Sequence, residues 1–315
     1  MRAATIRDQQ IVIEEHPDPE PAAGEVLVRV RAAGLNGGDM MQLRGRYPAP
    51  PGYPQDIPGM ELAGDVVELG AHPPGTERFA VGDRVMAIVG GGAQAELMTV
   101  HERLLMGVPE SLDWAAAGGL PEVFTTAHDA VLVQAELRPG EHLLVHGGAG
   151  GVGTAAIQLA CAAGARVTTT VRHEGLREQV AALGAEVIAP EDFAEYGPFD
   201  VILELVGAPN LSENLKALAT GGRIAVIGVA AGAKGELNLL ALMGKRARIY
   251  GSTLRARALE EKALNARLVE HEVLPLFDSG DLRVPIAETF PLERAAAAYE
   301  RFAAGGKLGK IVLRT

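Results

Sequence analysis

A glycine-rich turn between an apolar segment and a helical segment is the feature that most constrains this sequence. Residues 142–145 form a short apolar run, which is typical of a buried strand. Gly148, Gly150 and Gly153 follow with the spacing G-x-G-x-x-G, and helix-forming residues continue over 154–163. Such a turn lets backbone approach a pyrophosphate, and the helix amino end offers unpaired N–H groups to phosphates. The segment predicts a dinucleotide site; the alternative is a purely structural glycine turn.

The pattern on both sides of this turn alternates between strands and helices from about residue 114 to 254. Such alternation with short connections predicts a parallel, doubly wound sheet. The predicted strands are 143–146, 166–171, 186–188, 201–206, 223–228 and 248–251, and the predicted helices between them are 154–163, 176–183, 211–219 and 239–244.

The first ~110 residues carry short alternating segments such as 25–31 and 81–89, separated by Pro and Gly turns, and are predicted to be mostly β. After residue 254 we predict a long helix over 259–279, strands at 284–290 and 310–313, and a helix over 294–304. The terminal strands suggest that the carboxy-terminal segment folds back onto the amino-terminal region. We therefore expect one domain from 1–116 and 253–315, with a nucleotide-binding domain, 117–252, inserted.

Composition narrows the class of protein. The 315 residues are 48% hydrophobic and 22% charged, and no apolar run reaches the ~20 residues of a membrane helix. The net charge of -11, with scattered Lys and Arg, argues against nucleic-acid binding. Charge near the amino terminus predicts neither a signal peptide nor an anchor, and therefore a cytoplasmic location.

Several separated motifs occur in the order typical of one family. Besides the glycine turn, they are AAGLNGGD (32–39), RGRYP (44–48), PGMELAG (58–64), VGDRV (81–85), GGGAQAE (90–96), GSTLRAR (251–257) and GKIVL (309–313). On these motifs the chain resembles the zinc-independent quinone oxidoreductases (zeta-crystallin-like) of the medium-chain dehydrogenase/reductase superfamily. The resemblance implies an α/β chain with a GroES-like, mostly-β catalytic domain and a Rossmann nucleotide-binding domain with a doubly wound parallel sheet. It further implies a cleft between the domains and a homodimer joined through the last Rossmann strand, 248–251.

The same resemblance bears on zinc. Superfamily members that oxidise alcohols hold a catalytic zinc with a cysteine in the first motif and a His-Glu pair in the second. In this chain those positions are Asn36 and the pair Met60-Glu61. Neither an amide nor a thioether replaces these ligands well, and Cys161 is the single cysteine of the chain. We therefore predict no metal, and hydride transfer to an acceptor that is already electrophilic, a quinone or an activated alkene.

The segment after the second predicted Rossmann strand bears on the choice of cofactor. An NAD site usually places an acid there, whereas an NADP site places cations. Arg172 follows this strand and can bind a 2'-phosphate, with His173 beside it and Arg177 on the next helix. We predict NADPH. The alternative is that Arg172 and His173 are solvated loop residues while Glu174 binds the ribose.

Four residues are expected at the acceptor by resemblance. Asn36 is expected to bind a quinone or enone oxygen, or else to be a turn residue. Tyr47 and Tyr53 flank a Pro-rich loop and can stack on a flat ring or donate to a developing oxyanion; packing is their alternative. Arg255 is expected to border the cleft, with an interdomain ion pair as its alternative. The expected cofactor contacts are Thr126, Gly148, Gly150, Gly151, Val152, Gly153, Arg172, His173, Arg177, Gly207, Gly228, Val229 and Leu254.

These observations favour an NADPH-dependent quinone reductase. An NADPH-dependent enoyl or alkenal reductase on the same scaffold is the alternative, and an NADPH-binding protein without turnover is a third hypothesis. A carbon centre must be protonated if the acceptor is an alkene, whereas solvent can protonate a hydroquinone. No residue of the sequence identifies itself as that proton donor.

Overall fold

The chain divides into two units, each with its own main sheet. A computed structural model describes residues 1–73, 75 and 77–315. The first unit comprises Met1–Thr125, Leu254–Gly305 and Lys310–Thr315, and the second comprises Thr126–Thr253 and Gly306–Gly309. The domain boundaries expected from the sequence, at 116/117 and 252/253, stay a prediction.

The strands and helices of the described residues are numbered in chain order. Strands β1 to β15 lie at Arg2–Arg7, Gln10–Glu15, Glu25–Gly34, Glu61–Leu69, Arg84–Ile88, Leu97–His101, Met106–Gly107, His142–His146, Arg166–Thr170, Glu186–Ile188, Phe199–Glu204, Leu218–Val226, Arg248–Gly251, Ile286–Pro291 and Lys310–Arg314. Helices α1 to α10 lie at Gly37–Leu43, Trp114–Gly119, Pro121–Ala127, Gly151–Ala162, Arg177–Ala181, Leu211–Ala217, Leu239–Lys245, Leu259–Glu272, Leu274–Asp278 and Ala295–Ala304. A π-helical segment, His128–Gln134, follows α3 directly.

The second unit contains a six-stranded sheet in the order β10-β9-β8-β11-β12-β13. Its strand pairs are all parallel. When the strands are renumbered 1 to 6 within this unit, their order is 3-2-1-4-5-6, which is the strand order of a Rossmann fold. The direction of the strand order reverses between β8 and β11. The doubly wound parallel sheet predicted from the sequence is confirmed. Ligands of such sheets bind beyond the carboxyl ends of the strands at this reversal, where β8 ends in the glycine turn.

Two strands of the second unit differ from their predicted bounds by two residues or more. The strand expected over 201–206 ends at Glu204, because the Glu204 carboxylate accepts the N–H groups of Val206 (2.6 Å) and Gly207 (2.8 Å) and turns the chain. The strand expected over 223–228 begins earlier, at Leu218, and continues only to Val226. Its pairing with β11 shifts register between Phe199 and Val201.

The first unit contains a seven-stranded sheet in the order β14-β15-β3-β4-β5-β7, with β6 also paired to β3. The carboxy-terminal β15 pairs antiparallel with β3, so both ends of the sequence contribute to one sheet. Buried valines of β3, among them Val26, Val28 and Val30, alternate along the strand and pack into the core of the unit.

The helix predicted over 259–279 is two helices, and that prediction was wrong. α8 ends at Glu272 and α9 begins at Leu274. Pro275 has no backbone N–H to continue a helical ladder, and its ring clashes with the carbonyl one turn earlier, so a single continuous helix is disfavoured at this point. In the part of the chain that the structure describes, no helix combines the length and apolar character needed to cross a membrane.

Candidate functional site

The glycine turn of the second unit is shaped by two close approaches. A Cβ atom on Gly148 would lie 2.1 Å from Thr169 Oγ1, and one on Gly153 would lie 2.5 Å from the Gly147 carbonyl oxygen. Neither position tolerates a side chain without movement of its neighbours. A Cβ on Gly150 would instead meet its nearest atom at 3.4 Å. Gly148 and Gly153 are therefore needed by the packing of the turn, whereas Gly150 is not.

The helix after the turn begins at a backbone suited to binding an anion. Gly150 is the extended N-cap of α4, and Thr154 N–H donates to its carbonyl oxygen (2.8 Å). This is the first hydrogen bond of the twelve-residue helix. The N–H groups of Gly151, Val152 and Gly153 precede it and therefore have no acceptor within the helix. Their dipoles favour a phosphate at the end of β8.

The cationic residues predicted near the nucleotide lie just after β9. Arg172 and His173 are exposed, and so is Glu174. Arg177 is partly buried, and its Nε donates to the Val171 carbonyl oxygen (3.2 Å), which holds the side chain against the end of the strand. The positions are compatible with a phosphate ligand, and their predicted roles stay predictions.

Gly207 and Gly228 lie where loops cross beyond β11 and β12. Gly207 has φ +119°, and a Cβ there would lie 2.9 Å from the Val229 Cα. A Cβ on Gly228 would lie 2.4 Å from the Leu205 carbonyl oxygen. Both glycines permit close backbone packing at the carboxyl end of the sheet, which is compatible with the cofactor role predicted for this region.

A buried polar cluster occupies the first unit. Asn36, at the start of α1, donates from Nδ2 to Glu61 Oε1 (2.8 Å) and accepts at Oδ1 from Lys310 Nζ (2.6 Å). Lys310 Nζ also lies 2.6 Å from Glu61 Oε1 and donates to the Leu35 carbonyl oxygen (2.8 Å). The Asn36 carboxamide is therefore fixed by the protein at both ends, and its oxygen already accepts a charge-assisted hydrogen bond.

These residues do not fit the zinc site that the superfamily implies. The oxygens of Glu61 and Asn36 are bound by the Lys310 ammonium, whose charge would repel a divalent cation at the same place. The Met60 thioether lies against Gly38, where an added Cβ would be 2.9 Å from the sulfur. Within residues 1–73, 75 and 77–315, no group of three or more His, Cys, Asp or Glu side chains is arranged to hold a metal.

Arg255 is buried and fixed by three hydrogen bonds in the first unit. Its guanidinium donates to the carbonyl oxygens of Gly90 (2.7 Å) and Tyr47 (2.9 Å) and to Gln42 Oε1 (2.5 Å). It also lies 4.9 Å from the centre of the Tyr47 ring. These bonds tie the segment after residue 253 to the loop that carries Tyr47. Arg255 therefore positions that loop.

The two predicted tyrosines are each partly buried, and burial raises the pKa of both phenols. The Tyr53 ring packs on Gly90, where an added Cβ would lie 2.4 Å from it. Lys262 Nζ lies 5.5 Å from the centre of the Tyr53 ring. Both phenols remain protonated at neutral pH and can donate a hydrogen bond.

Glu122 is a residue that the sequence reasoning missed. It is the second residue of α3, and its N–H donates to Glu61 Oε2 (2.8 Å). Burial, and then the charge of Glu61, raise its pKa to about 8. Burial likewise raises the pKa of Asp39 to about 6, although that carboxylate accepts N–H groups from Asn36 and Gly59. An acid after a proline in an otherwise apolar segment was the available signal.

A small pocket of about 20 Å³, partly open to solvent, lies beside α3 and α8. Thr125 Oγ1 and Asn265 Nδ2 are buried without a hydrogen-bond partner. Leu254, predicted near a cofactor, is buried in the cavity wall, whereas Thr126 belongs to the second unit. The cavity is lined by Ile88, Leu104, Met106, Thr125, Leu254, Lys262, Asn265 and Ala266.

Family models match both halves of the chain. Residues 22–110 match the alcohol dehydrogenase GroES-like domain, and residues 183–313 match a zinc-binding dehydrogenase model. A quinone oxidoreductase of Rattus norvegicus is 32% identical over 94% of this chain and 90% of its own length. The acryloyl-coenzyme A reductase of Metallosphaera sedula is 32% identical over the full length of both chains.

A solved structure is similar over the whole chain. A mycobacterial protein complexed with NADPH superposes with a TM-score of 0.89 at 26% identity, covering 100% of both chains. Together with the motifs and the two sheets described above, these matches confirm the family resemblance. The chain belongs to the quinone oxidoreductase (zeta-crystallin-like) family of the medium-chain dehydrogenase/reductase superfamily, and is an oxidoreductase with a GroES-like and a Rossmann-like part.

Proposed function

We propose that this protein uses NADPH to reduce a quinone without a metal ion. The observation that carries the proposal is the Lys310 ammonium, 2.6 Å from Glu61 and from Asn36, at the motif positions that hold zinc in alcohol-oxidising relatives. Without a Lewis acid, the site lacks the metal-based polarisation that activates an ordinary ketone. The acceptor must then be electrophilic already, as a quinone is.

NADPH is the cofactor that the second unit fits best. The backbone at Gly150 and Gly151 suits the pyrophosphate, and exposed Arg172 suits a 2'-phosphate, with His173 and Arg177 nearby. The similarity to the NADPH-complexed mycobacterial protein supports this choice. When bound, the nicotinamide supplies the hydride.

Residues of the first unit orient the acceptor. Asn36 lies at the acceptor with a carboxamide that Glu61, Lys310 and the Gly34 carbonyl oxygen hold in a fixed orientation. Tyr47 donates a hydrogen bond to the oxygen on which charge develops, and Tyr53 stacks on the flat ring. Arg255 keeps the Tyr47 loop in place.

Reduction of an enone or other activated alkene is the second candidate function. The full-length similarity to an acryloyl-coenzyme A reductase favours it. Glu122, whose raised pKa keeps its carboxyl protonated at neutral pH, favours it as well, because alkene reduction requires a proton on carbon.

A steady-state panel tests both proposals. NADPH or NADH oxidation is followed with 1,4-benzoquinone, 9,10-phenanthrenequinone and an alkenal as acceptors. We expect acceptor-dependent oxidation of NADPH, with a higher kcat/KM than for NADH. Cofactor binding without turnover of any acceptor would contradict the proposal and support a binding protein.

We also propose a cytoplasmic homodimer that pairs through β13. This strand has one partner in its sheet among the described residues, β12, so its other edge is available to a second copy. Leu239, Leu240 and Met243 of α7 are 63%, 77% and 70% exposed. Such an apolar patch is typical of a surface that a partner covers.

A further inference from the structure

We propose that Glu122 is the proton donor that completes reduction of an activated alkene at this site. The inference rests on the proposed NADPH-dependent hydride transfer. It assigns a catalytic role that the sequence left open and that decides which acceptor class the enzyme can process.

The backbone of Glu122 is fixed by the buried polar cluster. Its N–H donates to Glu61 Oε2 (2.8 Å), while Glu61 Oε1 binds Asn36 and Lys310. Glu61 itself is fully buried. The start of α3 is therefore held beside the carboxamide that we place at the acceptor, and Glu122 projects from the first turn of that helix.

The carboxyl of Glu122 is available for proton transfer. Within the described part of the chain it has no hydrogen-bond partner, in contrast to the carboxylates of Glu61 and Asp39. Its side chain is partly exposed, so a small molecule can reach it.

Burial and the surrounding charges together set the protonation state of Glu122. Glu61 on β4 and Asp39 on α1 disfavour a further negative charge, whereas Lys310 on β15 and Arg255 favour one. Glu122 also acts on the pKa of Tyr47 and of Lys262 on α8. Burial is the largest single contribution, and the resulting pKa of about 8 keeps a proton on Glu122 at neutral pH.

The next turn of α3 carries a second indication of a ligand. Thr125 lies three residues after Glu122, on the same helix face, and its Oγ1 is buried without a partner. Asn265 Nδ2, also buried and unpartnered, lines the same cavity, as does Lys262. Two unpaired donors and a cation in this small pocket suit a single oxygen atom, such as the carbonyl oxygen of an enone.

The proposed step conserves atoms and electrons. Hydride addition to the β-carbon of an enone moves the alkene π electrons toward the carbonyl and gives an enolate. The Glu122 O–H bond breaks, its proton forms a C–H bond at the α-carbon, and the carboxylate left behind takes a proton from solvent. The acceptor is reduced by two electrons, NADPH is oxidised to NADP⁺, and one proton is consumed.

Glu122→Gln tests the step, because it keeps the size of the side chain and removes the acid. We expect enone kcat to fall by about 100-fold or more and quinone kcat to change by less than about threefold. Glu122→Asp should restore part of the enone activity. Glu110→Gln, which alters an exposed carboxylate of the same unit, is the matched control and should resemble wild type.

Two readouts separate proton donation from a structural role. In D₂O, wild type should place deuterium on one face of the α-carbon, whereas Glu122→Gln should give a stereochemical mixture. The second readout is an NMR titration of cofactor-free protein with ¹³C-labelled glutamate carboxyls. The carboxyl signal that is absent from the spectrum of Glu122→Gln belongs to Glu122, and it should titrate with a pKa of about 8.

The possible outcomes distinguish failure of this inference from failure of the proposed function. Wild type that oxidises NADPH with none of the acceptors contradicts the proposed function. Wild type that reduces enones, while Glu122→Gln retains their turnover and the stereospecific labelling, overturns the role of Glu122 alone. A Glu122 signal that titrates near an ordinary carboxyl value overturns it too.

Discussion

Lys310 Nζ lies 2.6 Å from Glu61 Oε1, and the side chains of the two residues are 3% and 0% exposed. The two come from β15 and β4, which are far apart in the sequence of the first unit. A buried charge costs several kcal/mol unless an opposite charge compensates it. The pair therefore fixes the local structure at the proposed acceptor site and places an ammonium at the motif positions where, by the family resemblance, alcohol-oxidising relatives hold zinc.

Lys310→Met should lower the free energy of unfolding by about 3 to 5 kcal/mol, because it leaves Glu61 buried and uncompensated. Urea denaturation measures the change. Lys216→Met removes an exposed ion pair with Glu213, whose side chains are 66% and 46% exposed, and serves as the control. Its effect should stay below about 1 kcal/mol. Equal losses of unfolding free energy in the two variants would show that the buried ion pair stabilises the protein no more than the exposed one does.

Gly148→Ala and Gly150→Ala should separate packing of the turn from access of the cofactor. The first places a Cβ 2.1 Å from Thr169 Oγ1 and should lower both Tm and NADPH affinity. The second meets its nearest atom at 3.4 Å, so Tm should hardly change while NADPH binds more weakly. Thermal unfolding and NADPH fluorescence titration measure these effects. NADPH affinity unchanged in both variants would remove the cofactor from this turn.

Arg172→Ala should reduce kcat/KM for NADPH by about tenfold to 100-fold, the range of a lost charge-assisted hydrogen bond, and leave NADH almost unaffected. Initial rates with both cofactors and one quinone give the ratio. Arg44→Ala is the control, because Arg44 is also an exposed arginine but lies in the first unit. A ratio equal to that of wild type would favour the alternative in which Glu174 binds the ribose.

Glu122→Gln should change how stability depends on pH. The pKa of Glu122 rises from 4.5 to about 8 on folding, so the native state binds more protons than the unfolded state between these values. Stability from this group is present at low pH and is lost as the pH rises through the window. Asp39, with a pKa of about 6, changes stability in the same direction, but only in the lower part of this pH range.

Urea unfolding of wild type between about pH 6 and pH 9 should show this decline, and Glu122→Gln should flatten it. Parallel curves for the two proteins would mean that Glu122 titrates normally.

Leu240→Glu should convert the proposed dimer to a monomer, because it places a charge in the exposed apolar patch of α7. Analytical ultracentrifugation measures the mass. Leu264→Glu, at an exposed position (59%) on α8 of the other unit, is the matched control. A wild-type monomer at micromolar concentration would contradict the proposed assembly.

The Rossmann-like sheet could be predicted because its signals are local. The strands at Glu186–Ile188 and Arg248–Gly251 have the expected bounds. The local sequence pattern gave wrong bounds at two kinds of position. At the end of β11, the Glu204 side chain binds the backbone that follows and ends the strand. At the start of α9, Pro275 interrupts the predicted helix.

The polar cluster could not be predicted in the same way, because its contacts join distant positions. Glu61 and Glu122 are 61 residues apart, and Asn36 and Lys310 are 274 residues apart. Asn36 was identified by motif, but its bonds to Glu61 and Lys310 depend on which strands become neighbours. Glu122 acquires its raised pKa only through this packing, so the available signal, an acid after a proline in an apolar segment, does not predict the shift.

The central claim is hydride transfer from NADPH to an electrophilic acceptor without a metal. The most direct test measures NADPH oxidation by 9,10-phenanthrenequinone with protein that has been treated with a chelator and analysed for metal content. We expect well under one zinc per chain, and we expect chelation to leave kcat unchanged. Stoichiometric zinc, with activity lost on its removal and restored on its return, would contradict it.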